Sequence, residues 1–123
     1  MHERTELQAL LVKTAGIFHQ LSEALAPLAK KIEFALVYGS FARGEETAES
    51  DVDLMVVGKV TFDDLLERLV PVERTLQRPV NPTVYSGREA RTKLKAGNHF
   101  LKAIQAGKST FLIGDEHEFR KLL

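Results

Sequence analysis

The chain has 123 residues, 44% of them hydrophobic, so we expect one domain with a core of its own and no second full domain. Its 17 Lys and Arg residues equal its 17 Asp and Glu residues, which excludes a protein that coats nucleic acid or a membrane surface through its overall charge; direct nucleic-acid binding would need a local basic patch. The absence of cysteine excludes disulfides, thiolate zinc sites and cysteine nucleophiles, and no apolar run reaches the roughly 20 residues of a membrane span, so we expect a cytoplasmic protein.

A long helix is predicted at the N-terminus, from Thr5 to about Lys31. Apolar residues recur there every three or four positions, which is the period of one helix face: Leu7, Leu11, Phe18, Leu21, Leu25 and Leu28. With Thr14 included, the steps become heptad-like, and such a stripe can pair two chains as a homodimer. Gly16 and Pro27 favour the other interpretation, in which the stripe packs against its own chain.

Two strands are predicted to follow, separated by a helical turn and a loop. The segment IEFALVY at 32–38 is rich in β-branched and aromatic residues and predicts a buried strand. SFAR then has room for a single helical turn, and the polar EETAES predicts a loop. DVDLMVVG at 51–58 predicts a strand with one polar end and a buried middle.

The second half of the chain predicts helices in alternation with strands. Thr61 and Ser86 each carry a capping signal, for helices to about Leu69 and Ala96, and the two prolines of 79–86 predict an edge or bulged strand between them. HFLKAIQAG predicts a short helix closed by Gly107, STFLIG a last strand, and DEHEFRKLL a final helix. This order predicts an α/β or α+β fold with one mixed sheet flanked by helices, in which 1–31 is an N-terminal helix and 32–123 the domain that follows.

The stretch GSFARGEETAESDVD at 39–53 holds the candidate chemistry. Asp51 and Asp53 are two residues apart on a strand, with Cα atoms about 6.6 Å apart, so both carboxylates project to one face and favour a hard cation such as Mg²⁺. Gly39 and Ser40, between a strand and a helical turn, form a corner suited to phosphate, and Arg43 is placed to hold a polyphosphate or to pair with the carboxylates. Each residue alone has an ordinary structural explanation, as a turn former, a cap or a solvated side chain.

The whole stretch resembles the signature of the DNA polymerase beta nucleotidyltransferase superfamily, and in particular its small members, the minimal nucleotidyltransferases. Gly39-Ser40, ten intervening residues and then Asp51-x-Asp53 carry the resemblance. It implies a nucleotidyltransferase fold in which Gly39, Ser40 and Arg43 bind the triphosphate of ATP or another nucleotide, and Asp51 and Asp53 bind Mg²⁺. It further implies attack of an acceptor hydroxyl on the α-phosphorus, with loss of pyrophosphate.

The resemblance also implies a third carboxylate on a neighbouring strand, and the matching position here is Asn81, which offers neither a negative charge nor a base. Binding is therefore better supported than turnover. Small relatives act as antitoxins that transfer AMP to an all-helical HEPN toxin, which would be the partner of an active enzyme. The C-terminal region is instead similar to forms fused to winged-helix DNA-binding domains, which favours the alternative of a nucleotide-binding regulatory module with weak or no catalysis.

Overall fold

The structure is a computed structural model that describes residues 6–47 and 49–122, with side chains from residue 15 onward. The helices are α1 (Glu6–Leu25), α2 (Ser40–Arg43), α3 (Phe62–Leu76), α4 (Gly87–Lys95), α5 (His99–Ala106) and α6 (Glu116–Arg120), and a 3₁₀ helix (Ala26–Lys31) follows α1. The strands are β1 (Ile32–Tyr38), β2 (Val52–Gly58), β3 (Val80–Tyr85) and β4 (Thr110–Ile113).

The strands form one mixed sheet in the order β3-β2-β1-β4, as the sequence predicts. β1 pairs antiparallel with β2 and with β4, whereas β2 and β3 are parallel. β3 lies at an edge of the sheet, where Pro82 is tolerated although it has no backbone N–H to donate to a neighbouring strand. The edge strand predicted from the prolines of 79–86 is therefore confirmed.

Helices cover both faces of the sheet. α1 and α3 pack on one face, where Leu21, Leu25 and Leu65 are fully buried, and α4, α5 and α6 pack on the other around Leu94, Leu101 and Phe119. The burial of Leu21 and Leu25 confirms that this part of the N-terminal stripe packs against its own chain. The side chains of Leu7, Leu11 and Thr14 lie outside the described residues, so the homodimer stays a prediction.

Two predicted helix ends differ from the structure. The N-terminal helix is α-helical only to Leu25, because Pro27 has no N–H to continue the pattern, and the chain tightens into the 3₁₀ helix. α3 continues past the predicted end at Leu69 and through Pro71, since Val72 extends its buried face and Pro71 lies on the exposed side. The capping boxes at Thr61 and Ser86 are confirmed. Among the described residues, no helix has the length and apolar character needed to cross a membrane.

Candidate functional site

The register of three strands brings the candidate residues to one end of the sheet. Tyr38, the last residue of β1, is the partner of Asp53 on β2, and Asp53 is in turn the partner of Asn81 on β3. Asp51 lies just before β2, two residues from Asp53, and Gly39 follows β1. The spacing of ten residues in the signature thus corresponds to α2 and a loop that return the chain to the same end of the sheet.

Gly39 lies in direct proximity to Asp53. Its backbone has φ +75° and ψ −149°, a conformation that side chains with a Cβ rarely adopt, and a Cβ at this position would lie 2.6 Å from the Asp53 Oδ2 atom. The helical turn α2 begins at once with Ser40, is anchored by the buried Phe41, and ends at Gly44 in the left-handed conformation. The phosphate corner predicted at Gly39 and Ser40 therefore lies directly against one of the two carboxylates predicted to bind metal.

Asn81 donates a hydrogen bond from its side-chain nitrogen Nδ2 to Asp51 Oδ2 at 3.1 Å. Burial raises the pKa of Asp53 above its ordinary value, and the negative charge of Asp51 adds to this, whereas a hydrogen bond from Asn81 and the charge of Arg43 lower it. The amide of Asn81 thus faces the carboxylate pair as a donor. Where the family signature implies a third negative charge, the site has the neutral amide of Asn81, which stabilises the two carboxylates of Asp51 and Asp53.

Three acidic side chains close to β3 or to α2 along the chain are engaged elsewhere. Glu73 accepts a hydrogen bond from the Val80 backbone N–H at 2.7 Å, Glu45 forms an ion pair with Arg43 at 3.0 Å, and Glu89 caps α4. Across residues 6–47 and 49–122, no cluster of three Asp, Glu, His or Cys side chains is arranged to hold a metal. Two carboxylates still fit Mg²⁺, because this ion is commonly held by one or two carboxylates together with substrate phosphates and water.

A cavity of about 490 Å³ opens in front of the corner. Gly39, Ser40, Arg43 and Asp53 line one side of it, as the signature leads one to expect. α5 and the residues after it form the other side, which the sequence interpretation did not include: Phe100, Ala103, Ile104, Gly107 and Lys108.

Aromatic side chains form part of the cavity wall. The Phe100 ring meets the Tyr38 ring edge to face, with centroids 5.7 Å apart, and Phe100 remains 41% exposed. Burial raises the pKa of Tyr38, and a hydrogen bond with Thr83 opposes this shift. The only sequence signal for these residues was the position of Tyr38 next to Gly39, because α5 is remote from the signature along the chain.

Arg78 positions the loop between α2 and β2. Its guanidinium donates to the backbone carbonyls of Thr47 at 3.2 Å and Ser50 at 2.6 Å, and lies 4.9 Å from the centre of the Phe41 ring. It thereby ties the chain just before Asp51 to the anchor of α2. No pattern in the sequence singles out this arginine, because its partners are backbone atoms about 30 residues away.

The fold and the site together define a nucleotidyltransferase domain. The model of the family "Polymerase beta, Nucleotidyltransferase" matches residues 20–96, and the chain belongs to this family.

One curated protein and two solved structures are also similar to the chain. Over 37 residues the chain is 43% identical to "Putative protein adenylyltransferase MJ0604" of Methanocaldococcus jannaschii, a match that covers 30% of this chain and 37% of the relative. A structure described as a toxin-antitoxin with AMP-PNP superposes with a TM-score of 0.57 at 18% identity, and a mutant of the toxin-antitoxin MntA-HpeT with 0.61 at 13%. In both structures the similarity covers 85% of this chain and 79% of the other, which shows the shared fold.

Proposed function

We propose that this chain binds ATP with Mg²⁺ in the cavity beside Gly39 and transfers AMP to a hydroxyl group of a partner protein. The observation that supports this most directly is the 2.6 Å between the Cβ position of Gly39 and the Asp53 carboxylate. A triphosphate bound at Gly39 and Ser40 would lie next to Asp53, which is the arrangement that nucleotidyl transfer requires.

The residues of the cavity divide the binding of the nucleotide among them. Ser40 supplies a hydroxyl and Arg43 and Lys108 supply positive charge for the triphosphate, while Asp51 and Asp53 would hold Mg²⁺. When bound, Mg²⁺ would neutralise charge that develops on the phosphates during the transfer. The protein itself orients the phosphates and needs no covalent nucleophile.

The nucleoside would lie against the α5 side of the cavity. The Phe100 ring lines the cavity there and remains 41% exposed, and it packs edge to face against Tyr38. Aromatic rings stack on nucleobases with about 1–3 kcal/mol per base, so Phe100 would contribute to the affinity for a nucleotide and not to that for a bare polyphosphate.

The acceptor is proposed to be a hydroxyl on a HEPN-type helical toxin, with this chain as the antitoxin, in the cytoplasm. The name of the archaeal relative and the two toxin-antitoxin structures support a protein acceptor. In this proposal residues 32–123 are the nucleotidyltransferase domain, and the N-terminal helix within 1–31 packs on it and is available for a homodimer.

A second candidate function is a nucleotide-binding regulatory module without turnover, related to the winged-helix fusions. The hydrogen bond from Asn81 to Asp51 favours it, because a donor at this position cannot accept the proton of an attacking hydroxyl. Both candidates require the same nucleotide site and differ only in catalysis.

Calorimetry and a labelling assay test these proposals separately. ATP with Mg²⁺ and inorganic tripolyphosphate with Mg²⁺ are titrated into the wild type, Ser40→Ala and Phe100→Ala. We expect Ser40→Ala to weaken the binding of both ligands and Phe100→Ala to weaken only that of ATP, by about tenfold. No binding of either ligand at millimolar concentration would refute the nucleotide site.

The labelling assay uses ATP labelled at the α-phosphate, Mg²⁺ and a co-expressed toxin. Label that appears on the toxin, and that is lost with Asp53→Ala, supports transfer. If ATP binds but no label is transferred, the regulatory module is supported and the enzyme is refuted.

A further inference from the structure

A groove at the opposite end of the sheet concentrates positive charge. It has a volume of about 390 Å³ and lies between the start of β1, the end of β2 and the start of α4. Its charged lining residues are Lys30, Lys31, Lys59, Arg88 and Arg91 with Glu33, and we call it the basic groove. β1 separates it from the nucleotide cavity, and seven residues of strand correspond to about 20 Å.

The basic groove carries a net positive charge, whereas the chain as a whole is neutral. The chain is neutral, yet five cations and a single carboxylate line this groove. Arg91 pairs with Glu33 at 3.2 Å, whereas no ion pair is formed by Lys30, Lys31, Lys59 or Arg88 among the described side chains. All five cations are exposed. Like charges this close together repel one another, and a bound anion would relieve the repulsion.

The backbone holds the walls of the groove in place. The Lys59 N–H donates to the Lys31 carbonyl at 2.7 Å, and Gly58 permits this close approach of two chain segments because a Cβ there would overlap the Lys31 carbonyl. At the other wall, a Cβ on Gly87 would lie 2.6 Å from Nη1 of Arg91. The main chain at Lys31 and Lys59, from which two of the cations extend, is thereby held together by a hydrogen bond.

The positive charge continues from the groove along α4. It does not extend into the neighbouring cavity of about 670 Å³, where the carboxylates of Glu33, Asp115 and Glu118 balance Arg91, Lys95 and Lys121. Arg88, Arg91 and Lys95 are spaced by three and four residues, so they share one face of α4. Cations spread over the groove and this helix face match the repeated charges of a polymer better than a single small anion.

We propose that the basic groove binds the sugar-phosphate backbone of duplex nucleic acid, independently of base sequence. None of the residues that line the groove is aromatic, and single strands are typically bound by stacking of bases on aromatic rings. Lysine and arginine side chains without stacking partners suit the phosphates of a duplex. This is the local patch that the neutral composition of the chain did not reveal.

Fluorescence anisotropy with a fluorescein-labelled 20-base-pair DNA tests the proposal. The groove variant Lys59→Glu/Arg88→Glu is compared with the control Arg74→Glu/Lys102→Glu, which changes the net charge equally at exposed residues outside the groove. We expect the groove variant to bind at least about tenfold more weakly than the control. We also expect the slope of log K against log salt to fall by about two, one unit for each lost phosphate contact.

Several results would overturn the proposal: no wild-type binding at about 50 mM salt, equal losses in both variants, tighter binding of a single strand, or displacement of the duplex by tripolyphosphate. Thermal melting verifies that the variants fold, and Lys59→Gln/Arg88→Gln serves as a milder pair. Asp53→Ala is expected to bind the duplex like the wild type, which separates this site from the nucleotide cavity. Loss of duplex binding in Asp53→Ala would place the duplex there and refute the basic groove.

Discussion

Gly39→Ala tests the close approach between the Gly39 backbone and the Asp53 carboxylate at the centre of the proposed site. The alanine methyl group would lie 2.6 Å from Asp53 Oδ2, while its distances to the Cγ and Cβ atoms of Asp53 would be 3.5 and 3.7 Å. Only the carboxylate oxygen therefore has to move. Its movement would disturb the hydrogen bond with Asn81 and the orientation in which Asp53 would bind Mg²⁺.

The cost of Gly39→Ala has two parts. A residue with a Cβ at φ +75° and ψ −149° carries a backbone strain of order 1–3 kcal/mol, and displacement of the crowded carboxylate adds about 1 kcal/mol. The free energy of unfolding should thus fall by about 2–4 kcal/mol. A chain of this length is stabilised by roughly 6–18 kcal/mol, so the variant should still fold.

Gly44→Ala is the matched control. Gly44 also has positive φ, at +70°, but no atom lies within 4 Å of the position that a Cβ would occupy. It should lose only about 1 kcal/mol. Urea denaturation gives the stability of both variants, and calorimetry gives their affinity for ATP with Mg²⁺. We expect at least about tenfold weaker binding for Gly39→Ala, by 1.4 kcal/mol or more, and nearly unchanged binding for Gly44→Ala. Equal effects of the two substitutions would refute the role of the close approach.

Three further substitutions test the rest of the site. Asn81→Asp should raise the rate of AMP transfer by about 100-fold and lower stability without Mg²⁺, because it adds a base and removes the donor to Asp51; an unchanged single-turnover rate would contradict this. Asp53→Asn should stabilise the metal-free chain at pH 7 by less than about 1 kcal/mol. Burial raises the pKa of Asp53, so this residue stabilises the fold when it is protonated in acid, and that contribution is lost as the pH rises through its pKa. The gain in unfolding free energy from Asp53→Asn, measured by urea denaturation, should therefore vanish near pH 3.8 and below. A gain that grew in acid would exclude burial of the Asp53 charge as its cause. Arg78→Ala should cost about 1–2 kcal/mol and weaken ATP binding, since Ser50 loses its tether beside the site; normal calorimetric affinity would argue against this role.

Local signals in the sequence predicted the elements well. β1 was predicted at its observed limits because a short run of β-branched and aromatic residues ends at Gly39. Thr61 and Ser86 marked true helix starts because capping depends on residues only three positions apart. The predicted ends of α1 and α3 were less accurate, because Pro27 ends one helix whereas Pro71, on an exposed face, is accommodated within the other.

The candidate site was predictable only as far as contiguous sequence describes it. The signature places Gly39 and Asp53 in one segment, and the antiparallel pairing of β1 with β2 brings them together. Phe100 and Lys108 reach the cavity through the packing of α5 on the sheet, which no spacing encodes. The sequence predicts Asn81 only as the position of the missing third carboxylate; its pairing with Asp53 and the direction of its amide are properties of the folded site.

That direction bears on which of the two functions the site has. Two carboxylates without a cation repel each other, and the Asn81 N–H group offsets part of this repulsion without any metal. If Mg²⁺ binds there as proposed, the empty site would depend less on it than a site with three carboxylates, and a third charge would both tighten metal binding and destabilise the empty state. Under the proposed function, Asn81 would favour a chain that is stable between nucleotides and slow to use them, as a sensor of ATP or a slow transferase requires. The ratio of ATP affinity to transfer rate in the wild type and in Asn81→Asp separates these two cases, because the base affects the rate far more than the affinity.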